Sequence, residues 1–293
     1  MDSPFKNRSR KITRNCLIRI KSVYETLKSA EKRAADYMLQ NPSVIAASTI
    51  TESAAYTHCS EATLVRLARK LGFNGYPELK SSITEDHQDI GFGILYEEIS
   101  IEDAPLAVAE KVFRTSVQSL MDTFSLIDEK QYLNALEHLM KAGRIFLAGV
   151  GDAYTVAYTG FLKFTRIGLN AYCSQDFDIQ LIEASRLKAN DVLFIISHTG
   201  KTHSLYEVAK LAKRHEANVI TITNFPTSPI AKLSDVVLLT AAFVPDNFGE
   251  IMTKRIPELC ILETLYINVL MRGGKNVSKS LSDSNSAIKA NKM

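Results

Sequence analysis

The sequence predicts two domains of different fold class, an all-α helix-turn-helix domain followed by an α/β domain with a parallel sheet flanked by helices. Three observations predict this arrangement. The first 82 or so residues show helical periodicity and no convincing strand, whereas continuous apolar strands alternate with helical segments from Arg144 onward. The length of 293 residues suits about two domains. Strands that are apolar throughout are typical of a parallel sheet covered on both faces.

The predicted boundaries follow the changes in composition. Residues 1–85 form the helical domain, and residues 86–105, which lack clear periodicity, form a linker. Residues 106–274 form the α/β domain, with two helices before the first strand that break near Asp128. The last stretch, 275–293, is polar and is predicted to be disordered.

The composition excludes several classes of protein. The chain is 46% hydrophobic and 23% charged, which is ordinary for a globular protein, and no apolar run approaches the ~18 residues of a membrane span. The basic N-terminus leads into no apolar stretch, so it does not resemble a secretory signal. The four cysteines are scattered without a CxxC pair, which predicts reduced thiols in a cytoplasmic protein.

Charge is distributed unevenly along the chain. The first 85 residues hold 14 lysines and arginines against 8 acidic residues, whereas the remainder holds 21 against 24. A basic domain on a mildly acidic body indicates an anionic partner such as nucleic acid. A solvated basic face is the alternative explanation of the same charges.

Two short helices joined by a tight turn at His58-Cys59 outline a helix-turn-helix. Thr51 is predicted to cap the first of them and Ser60 the second, which Gly72 ends, while Ser29 is predicted to cap an earlier helix that stops at Asn41-Pro42. Small residues at the start of the second helix permit close approach to a major groove, and its arginines can reach a guanine edge or a phosphate. A small helical bundle with a basic face remains the alternative. The candidate DNA-binding residues are Ser60, Glu61, Ala62, Thr63, Arg66, Arg69 and Lys70.

Two turns of the α/β half carry residues suited to binding a ligand. SHTGKT (197–202) is not a nucleotide P-loop, because Ile195 stands where that motif needs its first glycine. Its hydroxyls, its glycine and the following helix N-terminus nevertheless suit an anion. An ordinary loop in which Thr202 caps the helix is the alternative. The candidate ligand-binding residues are Gly149, Gly151, Asp152, Ala153, Ser197, Thr199, Gly200, Lys201 and Thr202.

The other turn, GVGDAY (149–154), resembles the start of a dinucleotide-binding motif. Tyr154 occupies the position of its third glycine, and the acid expected about 20 residues further on is absent. A tight strand-to-helix turn explains Gly149 and Gly151 equally well, so no cofactor is predicted.

Acid–base and metal sites receive little support from the sequence. His198 and His203 are five residues apart, whereas a metal-binding pair on a helix is four apart. Glu183, Glu250 and Glu258 could each serve as the general base of a sugar isomerase, but nothing distinguishes them from surface acids. No catalytic residue and no metal ligand is therefore predicted.

The two halves together resemble the RpiR-type bacterial regulators, named for the ribose-phosphate isomerase repressor. EKRAADYMLQNP (31–42) and SEATLVRLARKLGFNGYPELK (60–80) resemble that family's DNA-binding domain nearly end to end. SHTGKT resembles its phosphosugar loop, S-x-[ST]-G-x-T, and residues 217–240 resemble the strand, short helix and strand that follow. The resemblance covers residues 12–273.

This resemblance implies a transcription regulator of carbohydrate metabolism, in which a helix-turn-helix domain precedes a sugar isomerase (SIS) domain that senses a phosphorylated sugar or sugar acid. By position, Ser197, Thr199 and Thr202 would hold the phosphate, with Gly200 giving backbone approach. The implied partners are double-stranded operator DNA and the effector, with no membrane, and the protein would be a cytoplasmic homodimer or homotetramer. A sugar-phosphate isomerase with an appended helical domain is the alternative.

The chain departs from the family pattern at three positions of the α/β half. Ala153 stands where SIS domains commonly have serine, and Asp152 adds a negative charge next to it. Asp178 stands where many relatives show histidine. Ala153 and Asp152 imply a different ligand, compensation by Lys201, or a site that has lost affinity.

Overall fold

The computed structural model describes residues 16–88, 99–242, 254–289 and 291. The chain divides into two compact units, one of residues 1–111 with 124–126 and the other of residues 112–123 with 127–293. The predicted linker, 86–105, falls partly outside the described residues. The domain boundaries given above therefore remain predictions.

The described part of the first unit up to residue 88 is helical and contains no strand. Its elements are α1 (Cys16–Val23), a 3₁₀ turn (Tyr24–Thr26), α2 (Ser29–Gln40), α3 (Pro42–Ala47), α4 (Ile50–Tyr56), α5 (Glu61–Lys70) and α6 (Tyr76–Gln88). One buried cluster holds these helices together, and Met38, Leu64, Leu67 and Leu79 are fully enclosed in it. The apolar face of α5 thus packs against this core.

Two of the predicted helix caps are wrong by one or two residues. Ser29 is the first residue of α2 and not its cap, because the carboxylate of Glu31 accepts the Lys28 N–H one position earlier. Helix α4 is capped by Thr49, not Thr51, through a reciprocal pair with Glu52. The spacing Thr-x-x-Glu is the capping-box pattern, so the sequence contained this information.

The second unit contains a five-stranded sheet. Its helices are α7 (Pro105–Ser125), which also contributes residues to the first unit, α8 (Glu129–Lys141), α9 (Asp152–Arg166), α10 (Phe177–Ser185), α11 (His203–Arg214), α12 (Pro229–Leu233), α13 (Arg255–Arg272) and α14 (Gly274–Lys289). Its strands are β1 (Ile145–Ala148), β2 (Ala171–Cys173), β3 (Val192–Ile196), β4 (Asn218–Thr223) and β5 (Val236–Leu239). The strand order is β2-β1-β3-β4-β5, and every neighbouring pair is parallel.

Each face of the sheet is covered by helices, as the continuous apolar strands predict. Ile145 and Leu147 of β1 face a cluster that includes residues of α8, α9 and α13, whereas Phe146 and Ala148 face a cluster with residues of α10, α11 and α12. The predicted fold class, a helix-turn-helix domain and an α/β domain with a parallel sheet, is confirmed.

The C-terminal stretch is not disordered as predicted, because α14 covers it up to Lys289. Val277 is buried in the larger core cluster, and Leu281, four residues later on the same helical face, packs against it. These two apolar residues are easily overlooked in a segment of polar composition. Ser284 Oγ also donates to the carbonyl of Arg166 at 2.9 Å. Few apolar residues suffice here because they lie on one helical face against a preformed core.

Helix α13 begins at Arg255, directly after its cap residue Lys254, and residues 243–253 before it lie outside the described residues. Pro257 lies in the first turn of α13, where a missing backbone N–H removes no helical hydrogen bond. No helix in the described ranges combines the length and apolar character that a membrane span requires.

Candidate functional sites

The turn between α4 and α5 is held in one conformation by local hydrogen bonds. The His58 and Cys59 amides donate to the carbonyls of Ala55 and Ala54 at 3.2 and 3.1 Å, which closes the end of α4 in a Schellman motif. His58 adopts a φ of 49° to do so. Arg33 of α2 donates to the His58 carbonyl at 3.3 Å, a contact between residues 25 positions apart that no local pattern predicts.

Helix α5 has the caps that the sequence predicts. Ser60 Oγ accepts the Thr63 N–H at 3.2 Å, and at the other end the Gly72 and Phe73 amides donate to Arg69 and Ala68. Six of the seven candidate DNA-binding residues are exposed, and five of these follow the cap: Glu61, Ala62, Arg66, Arg69 and Lys70. Ser60 is also exposed, so the N-terminal turn of α5 offers the accessible surface that a groove-binding helix needs.

Thr63 is buried, whereas the sequence predicts that it lies on the surface of α5, where it would let the helix approach the DNA closely. It is 4% exposed, and its hydroxyl bonds to Ser60 Oγ at 2.9 Å and accepts from Arg66 Nη2 at 2.9 Å. Thr63, on the buried face of α5, therefore positions the side chain of the exposed residue Arg66. Of these two residues, Arg66 is the better placed to contact a base.

Lys70 is engaged within the protein. Its Nζ lies 2.9 Å from Glu31 Oε2 and 2.9 Å from the carbonyl of Thr26. Burial acts to raise the pKa of Glu31, but the hydrogen bond from the Lys28 amide and the pairing with Lys70 outweigh it, so that the pKa lies below its ordinary value of 4.5. The predicted phosphate contact by Lys70 thus competes with a bond that ties α5 to α2.

Replacing Lys70 with methionine is expected to lower the free energy of unfolding by about 1 kcal/mol at pH 7, since Glu31 is left buried without its cation while Lys70 is one-third exposed. Glu31 has a lowered pKa in the folded state, so its contribution is present above pH 4.5 and is lost as the pH falls through the folded-state pKa. The difference between the two proteins in urea denaturation should therefore shrink below pH 4.5.

Lys141→Met provides the matched control, because the pair between Lys141 and Glu137 is largely exposed at both ends. This substitution is expected to change stability little at any pH. Equal effects of the two substitutions would contradict the role given to Lys70.

The second candidate site lies where β1 and β3 run side by side. The helix after β1, α9, packs on one face of the sheet through Val156 and Ala157, whereas the helix after β3, α11, packs on the other through Leu205 and Val208. The two connections therefore diverge at the carboxyl edge of the sheet. Open parallel sheets bind ligands in the crevice at such a switch point.

The structure places the loop 197–202 on one side of this crevice, with three hydroxyls that are little used by the protein. Ser197 is 3% exposed, and its Oγ has no hydrogen-bond partner among the described residues. Thr202 is the N-terminal cap residue of α11, but its side chain makes no capping bond. Thr199 is exposed, and its hydroxyl accepts only the Lys201 N–H at 3.3 Å among the contacts that are described. The alternative, an ordinary loop in which Thr202 caps the helix, therefore does not explain the Thr202 hydroxyl, which makes no capping hydrogen bond.

Gly200 fixes the shape of this loop. Its φ is +61°, and a β-carbon there would overlap Oγ and Cβ of Ser228 at the start of α12. Its amide donates to the Ser197 carbonyl and its carbonyl accepts the Ile230 N–H, both at 3.1 Å. The loop is thus fastened to the β4–α12 connection, with its hydroxyls held in place.

Replacing Gly200 with alanine is expected to cost about 2–4 kcal/mol of stability, from the left-handed backbone together with the overlap against Ser228. Gly75→Ala is the control, because a β-carbon at Gly75 would reach only Pro77 Cδ at 3.7 Å. The free energies of unfolding from urea denaturation give the comparison. A Gly200→Ala protein as stable as Gly75→Ala would show that the loop readily takes another path.

The loop after β1 forms the other side of the crevice. A β-carbon on Gly149 would lie 2.7 Å from the Ala153 carbonyl oxygen, so only glycine permits this tight turn. Gly151 and Asp152 are exposed, whereas Ala153 is 5% exposed and belongs to the core. The structure thus places the candidate residues of both loops on neighbouring strand ends.

Gln180 of α10 joins this site, although no motif of the sequence indicates it. It is fully buried, and its Nε2 donates to the carbonyls of Gly149 at 3.3 Å and Ser174 at 2.9 Å. Its Oε1 has no hydrogen-bond partner among the described residues. Two buried polar oxygens near the ends of adjacent strands, Ser197 Oγ and Gln180 Oε1, therefore have no hydrogen-bond partner in the part of the chain that is described, and such atoms call for one.

The candidate bases of a sugar isomerase are engaged elsewhere or not described. Glu183 forms an ion pair with Arg144 at 2.5 Å. Glu258 is fully buried against Arg255 at 2.8 Å. Glu250 lies outside the described residues. His198 packs its ring edge-on to Phe225, with centroids 6.1 Å apart.

Comparison with known proteins places both halves in known families. The model of the rpiR-family helix-turn-helix domain matches residues 14–89, and the model of the SIS domain matches residues 138–266. An uncharacterized HTH-type transcriptional regulator of Thermotoga maritima is 35% identical over 89% of this chain and 95% of its own. The chain belongs to the rpiR family of transcriptional regulators.

Other members of the family have similar lengths. The regulator HexR of Pseudomonas aeruginosa is 31% identical over 89% of this chain and 91% of its own. The solved structure of Vibrio vulnificus NanR complexed with ManNAc-6P is 27% identical, covers 94% of this chain and 98% of its own, and superposes with a TM-score of 0.59. The prediction of a DNA-binding regulator rather than an isomerase is confirmed by these relatives.

Proposed function

We propose that this rpiR-family regulator contacts operator DNA through α5 and that a phosphorylated sugar or sugar acid in the crevice between β1 and β3 changes its operator affinity. Arg66 reads bases from the N-terminal half of α5, and Arg69 contacts phosphate. Ser60, Glu61 and Ala62 border the groove. Lys70 contributes to phosphate binding only at the expense of its bond to Glu31.

The observation that carries the effector proposal is the unused polar surface of the loop 197–202. Ser197 Oγ is buried without a partner among the described residues, and the Thr202 hydroxyl caps nothing. Together with the amides at the start of α11 and the ammonium of Lys201, these hydroxyls suit a phosphate. The complex of NanR with ManNAc-6P supports the same class of ligand for this chain.

The polar atoms across the crevice suit the uncharged part of such a ligand. Gln180 Oε1 is an acceptor for a sugar hydroxyl, whereas Ala153 offers no hydroxyl of its own. Asp152 lies at the exposed start of α9 and disfavours a second anionic group nearby. The proposed effector therefore carries one phosphate at the loop 197–202 and neutral hydroxyls towards the loop 149–153.

The regulator is proposed to act as a homodimer or homotetramer in the cytoplasm. One helix reads too few base pairs for useful specificity, so a two-fold operator and a dimer are expected. The neighbouring helices α9 and α13 expose Tyr158, Leu162, Ile267 and Met271, the last with 78% of its surface in water. An apolar patch of this kind suits contact between two copies.

The test uses the full-length protein and a duplex selected by it from random-sequence DNA. Fluorescence anisotropy would give the operator affinity with and without pentose 5-phosphates, hexose 6-phosphates, N-acetylhexosamine 6-phosphates and 6-phosphogluconate. One class is expected to change the affinity about 5- to 150-fold, the range of typical allosteric coupling. Failure to select any duplex would contradict the DNA interface, and an operator affinity unaffected by every compound would contradict the effector proposal.

A further inference from the structure

A chain of buried hydrogen bonds leads away from the effector loop. The carbonyl of His198, within that loop, accepts the Asn224 amide N–H at 3.0 Å and the Thr223 hydroxyl at 3.0 Å. Asn224 is fully buried at the end of β4. The backbone of the loop is therefore bonded to Asn224, the first residue after β4. If the loop backbone moves, Asn224 must move with it or lose this bond.

The Asn224 side chain continues the chain of bonds to the end of β5. Its Oδ1 accepts the Thr240 hydroxyl at 2.5 Å and the Ala242 N–H at 3.2 Å, while its Nδ2 donates to the Ala242 carbonyl at 3.0 Å. Thr240 and Ala242 are themselves buried. The oxygen and the nitrogen of the Asn224 side chain are thus both bonded to residues 240–242, which follow β5. This segment therefore has little freedom to move independently of Asn224.

The segment after β5 is bonded in turn to α7. The Ala241 N–H donates to Thr123 Oγ1 at 2.9 Å, and both residues are buried. Helix α7 contributes residues to both compact units, with residues 105–111 and 124–125 in the first and 112–123 in the second. The bonded path therefore begins at the effector loop and ends on the helix whose residues are divided between the two units.

We propose that Asn224 and Thr123 are positioning residues that transmit occupancy of the effector loop to α7. The relay runs from the His198 carbonyl through Asn224 to Ala241 and Thr123. Effector binding to the hydroxyls of the loop shifts the His198 carbonyl, and the bonded path passes that shift to α7. This inference rests on the proposed effector site, and neither Asn224 nor Thr123 is assigned a contact with effector or DNA.

The test removes the last bond of the relay and keeps the shape of the side chain. Thr123→Val has no acceptor for the Ala241 N–H, Thr123→Ser retains one, and Thr115→Val is the matched control at another buried threonine of α7. For each full-length variant, calorimetry gives the affinity for the sugar phosphate identified with the wild-type protein. Anisotropy gives operator affinity with and without that compound.

In Thr123→Val, effector affinity and operator affinity in the absence of effector are expected to match the wild-type values, while the effector-induced change in operator affinity falls about fivefold or more. Thr123→Ser and Thr115→Val are expected to retain the wild-type change. A full response in Thr123→Val would overturn the relay and leave the effector site intact. An equal loss in Thr115→Val would also overturn it, since the effect would then not depend on the bond to Ala241.

Two further results distinguish a failure of the relay from a failure of the effector site and from a failure of the variant to fold. Absence of effector binding to the wild-type protein would overturn the proposed function, and the relay with it. If Thr123→Val fails to fold, hydrogen exchange of the wild-type protein serves instead, and effector is expected to slow or speed exchange at residues 240–242 and in α7. Unchanged exchange at both places in a protein that binds effector would overturn the relay alone.

Discussion

Replacing Arg66 with alanine is expected to weaken binding to the selected operator by about 1–3 kcal/mol, or roughly 5- to 150-fold, and to relax base preference at one position of each half-site. The reason is that the Arg66 guanidinium is exposed and is oriented by the buried hydroxyl of Thr63. Anisotropy titrations against the operator, against single-base variants and against random DNA measure both effects.

Arg69→Ala provides the comparison for this prediction. Arg69 is exposed near the C-terminal end of α5. A phosphate contact there would weaken operator and random DNA about equally, and would reduce the slope of log affinity against log salt by about 1. If Arg66→Ala behaved in the same way as Arg69→Ala, Arg66 would be a phosphate contact and the base reader would lie elsewhere on α5.

Replacing Thr199 or Thr202 with valine is expected to weaken effector binding by about tenfold to a hundredfold for each substitution, because each removes a hydrogen bond to a charged group. Operator affinity without effector should remain at the wild-type value, since the loop belongs to the SIS domain. Valine keeps the branched shape of threonine and lacks its hydroxyl, and neither Thr199 nor Thr202 is buried, so little core packing is lost.

Thr159→Val is the matched control for these two variants. Its hydroxyl donates to the Thr155 carbonyl at 2.8 Å along α9 and does not belong to the loop 197–202. Calorimetry with the effector, together with operator titrations, separates the outcomes. Wild-type effector affinity in both loop variants would place the ligand outside the loop.

The sequence determined much of the architecture because the relevant forces act over short stretches of chain. Ser60 and Gly72 fix the ends of α5 through hydrogen bonds to residues within five positions. The apolar runs of β1 and β3 predict a sheet covered on both faces, and the short loops after them predict the crevice. The capping box of α4 and the apolar face of α14 are also local features of the sequence, although neither was among the predictions.

Only the tertiary structure decided how residues far apart in the chain are paired. Lys70 was predicted to face DNA, yet folding brings it to Glu31, 39 positions away. Gln180 reaches the Gly149 carbonyl from α10, and Thr123 reaches Ala241 across 118 positions. Such pairings depend on the relative positions of packed elements, which periodicity and caps do not specify. For that reason the sequence predicted where the two candidate sites lie, and the fold decided which polar groups remain available in them.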